Sequence, residues 1–114
     1  PTDQFLFRGF LPHKKGRQTA WKLLAEQEKT TIVLYESPYR VEKCLLEIEQ
    51  YLGDRYIVIA RELTKKFEEF VCGNISDILK RKLTIKGEFV ILIASKNFIK
   101  GQLPAVDENY SDFG

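Results

Sequence analysis

The chain lacks methionine altogether and has one histidine, two cysteines and a net charge of only +2 over 114 residues. A single histidine, His13, without a second ligand at a suitable spacing does not indicate a metal site. Cys44 and Cys72 stand in apolar segments, which favours buried thiols in a reducing compartment over a disulfide framework. A charge this small does not by itself indicate a nucleic-acid partner.

Long hydrophobic runs and targeting signals are also missing. No apolar run approaches the roughly 20 residues that a membrane-spanning helix needs, and the first residues show no signal-peptide pattern. We therefore expect a cytoplasmic protein. The sequence also has no GxGxxG loop that would hold the phosphates of a nucleotide. Its 44% hydrophobic and 30% charged residues suffice to bury the core of about one domain.

Hydrophobic patterning alternates between strand-like and helix-like segments. Helices are predicted over residues 16–28, 37–52 and 75–83, the second with Ser37 as its N-cap and Gly53 at its end. Thr31–Tyr35 is a continuous apolar run, typical of a central strand covered on both faces. Strands are predicted over five short segments: Phe5–Leu11, Thr31–Tyr35, Tyr56–Ala60, Phe67–Val71 and Phe89–Ala94.

The order β-α-β-α-β-β-α-β predicts an α/β fold, a mixed sheet of about five strands with helices packed on its faces. The two strands joined by residues 63–66 are expected to be antiparallel, since so short a connection cannot form a parallel crossover. Periodicity is lost from Lys96 onward. We therefore expect one domain over residues 1–95 and a tail or linker over residues 96–114.

The densest cluster of charges is RELTKKFEE, residues 61–69, directly after the apolar segment Tyr56–Ala60. Ligands of open α/β sheets collect outside the carboxyl ends of the strands. Arg61, Glu62, Thr64 and Lys65 are therefore expected to emerge at such a site. The alternative is that these residues are solvated or paired charges, with Arg61 and Glu62 on opposite faces if the strand continues.

Motifs in four segments carry a family resemblance: GFLPHKKGR (residues 9–17), YESPYR (35–40), GDRYIVIARELTKKFEE (53–69) and KGEFVILI (86–93). Over roughly residues 1–95 the chain resembles the C-terminal half of the ribosomal RNA small subunit methyltransferase I family, within the tetrapyrrole-methylase-like S-adenosylmethionine enzymes. The resemblance implies the second domain of the tetrapyrrole methylase fold. It also implies a cleft shared with an N-terminal domain that holds most of the cofactor. Because that domain's segments and any initiator methionine are missing, we interpret the sequence as an excised half.

The activity implied by the resemblance is methyl transfer from S-adenosyl-L-methionine to a ribose 2′-hydroxyl in small-subunit ribosomal RNA. Positioning of the reacting atoms supplies much of the rate of such an in-line displacement. The implied partners are that RNA and the missing N-terminal domain, and the isolated half is expected to be inactive. Two alternatives stay open: a small-molecule tetrapyrrole methylase, or a non-catalytic module for binding or dimerisation, with a homodimer as one form.

Candidate site residues follow from the resemblance and from these positions. The candidate catalytic set has four residues. Glu36 and Glu62 are candidate bases, and Arg61 and Lys65 are candidates for positioning the RNA. Cofactor contacts are expected from Tyr35, Glu36 and Ser37, although Ser37 as a helix cap and Glu36 beside a helix dipole are simpler readings. Contacts with RNA phosphates are expected from a basic set, whose alternative is ordinary solvation: Lys14, Lys15, Arg17, Arg40, Lys65 and Lys66.

One position departs from the family pattern. The ESP motif usually continues as His-Arg, whereas this chain has Tyr39 before Arg40. Tyrosine cannot replace histidine in proton transfer near neutral pH, although it can replace it in stacking. The substitution therefore argues against a catalytic base at residue 39.

Overall fold

The computed structural model describes residues 4–64 and 67–98. In this part of the chain the strands and helices alternate as β1-α1-β2-α2-β3-β4-α3-β5, which confirms the predicted order. The strands are β1 (Gln4–Phe10), β2 (Thr30–Glu36), β3 (Tyr56–Thr64), β4 (Phe67–Asn74) and β5 (Glu88–Ile93). The helices are α1 (Arg17–Ala25), α2 (Val41–Leu52) and α3 (Ile75–Ile78).

The strands form one mixed five-stranded sheet in the order β1-β2-β5-β3-β4. The first two strands are parallel, and β5 is antiparallel to both of its neighbours, β2 and β3. The β3–β4 pair is antiparallel, as its short connection predicted. The α/β class and the mixed sheet are thus confirmed. The central strand is β5, and β2 lies next to it.

The core lies on one face of the sheet, which we call the inner face. Alternate residues of the strands point into it, and all three described helices contribute to it. Trp21 on α1 and Ile48 on α2 are fully buried there, with Ile75 at the start of α3. The strand residues of this core are Ile32, Leu34, Ile57, Ile59, Phe89, Ile91 and Ile93. Burial of this set is the main stabilisation of the fold.

The described helices leave the opposite face of the sheet, which we call the outer face, uncovered along β1 and β2. Tyr35 on β2 is 36% exposed, and Phe5, Phe7 and Phe10 on β1 are 65%, 62% and 59% exposed. No outer-face residue of β1 or β2 joins the helix-covered core cluster. The prediction that Thr31–Tyr35 is covered on both faces is therefore wrong for this part of the chain. A continuous apolar run also fits a strand with one face left for a partner.

Helix starts differ from the predicted ones for local reasons. Ser37 and Arg40 form a turn, closed by a hydrogen bond from the Arg40 amide to the Ser37 carbonyl (3.0 Å). Helix α2 then begins at Val41 without a side-chain cap, so the prediction of Ser37 as its N-cap is wrong. The Ser37 amide instead donates to the Glu36 carboxylate at 3.0 Å. Gly53 ends α2 as predicted, at a positive φ of 85° that favours glycine.

Two other elements have unexpected lengths. Strand β3 continues past Ala60 because Arg61 and Glu62 pair with β4 on one side and β5 on the other. Helix α3 spans only Ile75–Ile78, although amide hydrogen bonds of the helical kind continue to Arg81. The Asp54 carboxylate begins α3 by accepting the amide and the hydroxyl of Ser76, each at 2.9 Å.

The chain remains attached to the sheet after β5. The Lys96 amide donates to the Glu28 carbonyl at 2.7 Å, and the Phe98 ring lies 5.0 Å from that of Tyr56 between centroids. Residues 99–114 of the predicted tail lie outside the described residues, so the division at residue 95 stays a prediction. None of the helices in the described part is long and apolar enough to cross a membrane.

Candidate functional site

Two of the candidate residues, Glu36 and Arg61, lie in one row across the sheet. Phe89 on β5 pairs with Glu36 on one side and with Arg61 on the other. Two strand spacings therefore separate their backbones, about 10 Å. Both side chains point to the inner face, where they are 4% and 6% exposed. The sheet thus brings the two residues to the same edge, but each is buried in its own ion pairs.

Glu36 belongs to a buried cluster with Arg17, Arg40 and Glu47. The Arg17 guanidinium binds Glu47 through Nε (3.0 Å) and Nη2 (2.6 Å), and its Nη1 donates to the Pro12 carbonyl at 3.0 Å. Glu36 lies 3.5 Å from Arg17 through one oxygen and 3.5 Å from Arg40 through the other. The charges of two arginines and two carboxylates therefore cancel at the carboxyl end of β2.

The charges of this cluster shift the pKa values of Arg17 and of the adjacent Cys44. Burial opposes the charge of Arg17, but the hydrogen bond and the charge of Glu47 hold the pKa of Arg17 above its ordinary value. Burial, followed by the negative charge of Glu36, raises the pKa of the Cys44 thiol well above its ordinary value. Cys44 is therefore a neutral, buried thiol, as its apolar context predicted.

The three predicted cofactor residues point in different directions. Tyr35 lies on the outer face, where its ring contacts Phe7 and Phe10 edge-on at 5.2 and 5.4 Å. Glu36 points inward, and Ser37 begins the following turn. The Ser37 hydroxyl is buried and has no hydrogen-bond partner in the described part of the chain.

Arg61 anchors the segment that connects α3 to β5. Its guanidinium donates to the Thr84 carbonyl and pairs with Glu69 on β4. An arginine so engaged holds a loop against the inner face, and direct contact with RNA is not favoured by this geometry. Lys65 and Lys66, the other cations of the RELTKKFEE motif, lie outside the described residues.

Glu62 points the other way, onto the outer face, where it is exposed. It pairs in register with Glu68 on β4 and with Glu88 on β5, so three carboxylates stand side by side across the sheet. Like charges directly opposite one another are destabilising. The described residues contain no group of side chains that could hold a metal ion.

The predicted RNA-binding cations also divide into two sets. Lys14 and Lys15 are exposed in the turn between β1 and α1, where they can reach a phosphate. Arg17 is only 4% exposed and committed to Glu47, which argues against a phosphate contact. The Arg40 side chain is 33% exposed and lies beside Glu36. The sequence analysis missed Glu47, although a carboxylate beside the apolar stripe of α2 could have indicated a buried ion pair.

The described residues thus form a mixed α/β sheet in which Glu36 and Arg61 share one row, while Tyr35 and Glu62 lie on the opposite face. Three relatives of this chain share one name. Proteins named ribosomal RNA small subunit methyltransferase I are 39% identical over 95 residues in Halalkalibacterium halodurans and 37% identical over 95 residues in Bacillus subtilis, covering 82% of this chain. The relative from Thermotoga maritima is 38% identical over 98 residues and 84% of this chain. The chain belongs to the ribosomal RNA small subunit methyltransferase I family, as its motifs predicted.

The chain spans only part of these relatives: 33%, 32% and 44% of their respective lengths. Among solved structures, a putative diphthine synthase from Entamoeba histolytica matches with a TM-score of 0.43 and 17% identity, over 92% of this chain and 46% of that one. That similarity is too low to extend to function. No protein-family model matches the sequence.

Proposed function

We propose that this chain is the C-terminal part of an S-adenosylmethionine-dependent methyltransferase that methylates a ribose 2′-hydroxyl of small-subunit ribosomal RNA. The observation that carries the proposal is 37–39% identity over about four fifths of the chain to proteins named for that RNA. Since the chain spans only 32–44% of the length of those proteins, we infer that a further domain completes the cleft.

The end of β2 supports a role in holding the cofactor. Tyr35 offers a partly exposed ring two residues before Ser37. S-adenosylmethionine, when bound, supplies an activated methyl group. Glu36 fixes this turn by accepting the Ser37 amide while Arg17 and Arg40 hold its carboxylate. Its role is therefore positioning of the turn.

Glu62 is the better candidate to accept the proton of the ribose hydroxyl. A general base must come within hydrogen-bond reach of the proton that it removes. Glu62 is exposed on the outer face, whereas Glu36 is enclosed by two arginines on the inner one. Arg61 contributes indirectly by holding the segment around Thr84, and Lys65 remains a proposed contact with the RNA.

An exchange experiment tests this function. The matching segment of the Bacillus subtilis relative is replaced by this chain, and transfer of labelled methyl groups to small-subunit RNA is measured. Methyl transfer should persist, and alkaline hydrolysis should leave a methylated dinucleotide, because a 2′-O-methyl group blocks cleavage of the adjacent phosphodiester. Labelled bases, or an exchange protein that folds and binds RNA but transfers no methyl group, would contradict the proposal.

A matched pair of variants tests the assignment of Glu62 in the same exchange protein. Glu62→Gln should lower kcat by about tenfold or more, equivalent to about 1.4 kcal/mol of transition-state stabilisation. Glu88→Gln removes an equal charge from the adjacent position of the same row and should leave kcat within about twofold. Equal losses in both variants would show that the row acts only through its summed charge.

A further inference from the structure

Two loops leave the sheet side by side at the carboxyl ends of β1 and β2. These neighbouring strands are parallel, so residues 11–16 and residues 37–40 follow them at the same edge of the sheet. We call these segments the first and the second edge loop. Open α/β sheets bind their ligands at the carboxyl ends of their strands, so the two edge loops stand where a substrate is expected.

Arg17 joins the two edge loops. Its amide donates to the Lys14 carbonyl at 3.1 Å and its Nη1 to the Pro12 carbonyl at 3.0 Å, so the first edge loop folds around it. Its Nη2 lies 3.5 Å from Glu36, the residue before the second edge loop. Arg40, at the end of that loop, lies 3.5 Å from the other oxygen of the same carboxylate. The buried cluster therefore fixes one loop against the other.

Tyr39 lies in the second edge loop with its side chain almost wholly in solvent, 93% exposed. The turn that carries it is held by hydrogen bonds. The Arg40 amide donates to the Ser37 carbonyl and the Ser37 amide to the Glu36 carboxylate, both at 3.0 Å. Pro38 further restricts the backbone. A ring presented on a fixed turn costs little ordering entropy when a partner covers it.

The exposed charges of the edge loops are positive. Lys14 and Lys15 are exposed in the first loop, and neither loop contains an acidic residue. The Arg40 side chain keeps 33% of its surface in solvent. In the first turn of α2, exposed Glu42 is followed directly by exposed Lys43, so these two charges cancel. An open aromatic ring therefore shares this edge with uncompensated lysines.

We propose that Tyr39 stacks on an unpaired base of the RNA substrate while Lys14 and Lys15 pair with neighbouring phosphates. An aromatic side chain beside cations binds single-stranded RNA in this way, because every base has a flat apolar surface and every linkage carries a negative charge. The proposal rests on the proposed function in taking RNA as the substrate. It adds the residues that hold the RNA at this edge of the sheet.

The charges favour RNA over a protein surface as the occupant. An apolar surface of the proposed further domain would cover the Tyr39 ring but would leave Lys14 and Lys15 unmatched. A second copy of the chain, packed symmetrically through the same loops, would place cations against cations, which is unfavourable. A polyanion with flat apolar bases satisfies both the ring and the lysines.

The ring is tested by the Kd of the exchange protein for labelled small-subunit RNA, measured by filter binding with methyl transfer followed alongside. Tyr39→Ala should raise Kd between about fivefold and 150-fold, the loss of one stacked base, with kcat at saturating RNA within about twofold of the parent. Tyr39→Phe keeps the ring and should restore Kd to within about twofold. Leu46→Ala is the control, because Leu46 is a 58% exposed apolar residue of α2 outside the edge loops. Its Kd should equal that of the parent.

The lysines have a separate readout, the salt dependence of the same binding. In Lys14→Gln/Lys15→Gln the dependence of log affinity on log salt should become shallower by about 1 to 1.5, because each lost phosphate contact removes about 0.7 from the slope for a single strand. Lys22→Gln/Lys29→Gln removes the same charge from exposed positions near the far end of α1 and should leave the slope unchanged. Urea midpoints equal to that of the parent show that each variant is folded.

Two results would overturn the inference: an unchanged Kd in Tyr39→Ala, or equal salt slopes in the two lysine pairs. A lower urea midpoint or a raised KM for S-adenosylmethionine in Tyr39→Ala, with its Kd for RNA unchanged, would make Tyr39 a contact with the further domain instead. Persistent methyl transfer together with any of these results overturns the edge-loop proposal alone. The expected effects on RNA binding in a folded exchange protein that transfers no methyl group overturn the proposed function alone.

Discussion

Replacing Arg17 by methionine should unfold the protein under conditions that the parent tolerates. Methionine has a similar length and fills the space, so the change removes the guanidinium with little loss of packing. The loss includes two hydrogen bonds to Glu47 at 2.6 and 3.0 Å, one to the Pro12 carbonyl, and the contact with Glu36. Glu36, which is 4% exposed, then keeps Arg40 as its cationic partner.

The size of the effect follows from burial. Removing one partner of a buried ion pair costs about 3–5 kcal/mol, because an uncompensated charge is left in a medium of low polarity. The lower end applies here, since Glu47 keeps 15% of its side chain in solvent and Arg40 remains beside Glu36. A loss of about 3 kcal/mol corresponds to a fall in Tm of roughly 12–24 °C for a domain of this size.

Urea denaturation followed by circular dichroism measures the change, with an unchanged m value showing that only stability has altered. Lys22→Met is the control, because Lys22 is exposed on the same helix. Removing both charges in Arg17→Met/Glu47→Leu should recover most of the loss, since apolar pairs replace buried ion pairs at little cost. If Arg17→Met is no worse than Lys22→Met, the cluster does not stabilise the fold.

Three further predictions concern other sites. Glu62→Gln should raise the free energy of unfolding by about 0.2–1 kcal/mol at low salt by relieving two like-charge pairs. Arg61→Ala should lower it by about 2 kcal/mol, because a buried guanidinium and its hydrogen bonds to Glu69 and the Thr84 carbonyl are lost. Urea midpoints that move in the same direction in both variants would contradict this. In Cys72→Ser, native Cys44 should react with Ellman's reagent only as fast as the protein unfolds. Because burial raises the pKa of the Cys44 thiol, the free energy of unfolding should also fall as pH rises above about 8.5, the pKa of the unfolded thiol. Rapid labelling at pH 8 would contradict burial. Under the proposed function, the 114-residue chain should bind S-adenosylmethionine weakly, because it lacks the contacts and preorganisation that the proposed further domain would supply; micromolar affinity in calorimetry would refute this.

The sheet was predictable because the residue pattern within each strand indicates a strand. Thr31–Tyr35 and Tyr56–Ala60 are continuous apolar runs, and Gly53 marks the end of the best helical stripe. The short connection between β3 and β4 required an antiparallel pair, which the register confirms. These features depend on neighbouring residues, so a single sequence is enough to read them.

Features that depend on distant partners were not predictable. Ser37 has the right residue type for a helix cap, but the Glu36 carboxylate accepts its amide, and Glu36 is fixed in turn by Arg17 on another helix. Which face of β2 stays open depends on where the helices pack, and the run TIVLY fits either outcome. The role of Glu47 could not be predicted without knowing that α1 and α2 are in contact.

The RELTKKFEE segment shows why a charged motif can serve two purposes at once. Because β3 continues through it, successive side chains fall on opposite faces. Arg61 turns inward and ties β4 and the Thr84 segment to the core, and Glu62 turns outward to the open outer face. Loss of Arg61 would therefore disturb activity through the fold, whereas loss of Glu62 would disturb it without unfolding. The pleat thus divides this charged segment between Arg61, which stabilises the fold, and Glu62, which lies on the open face where we propose that it acts on the substrate.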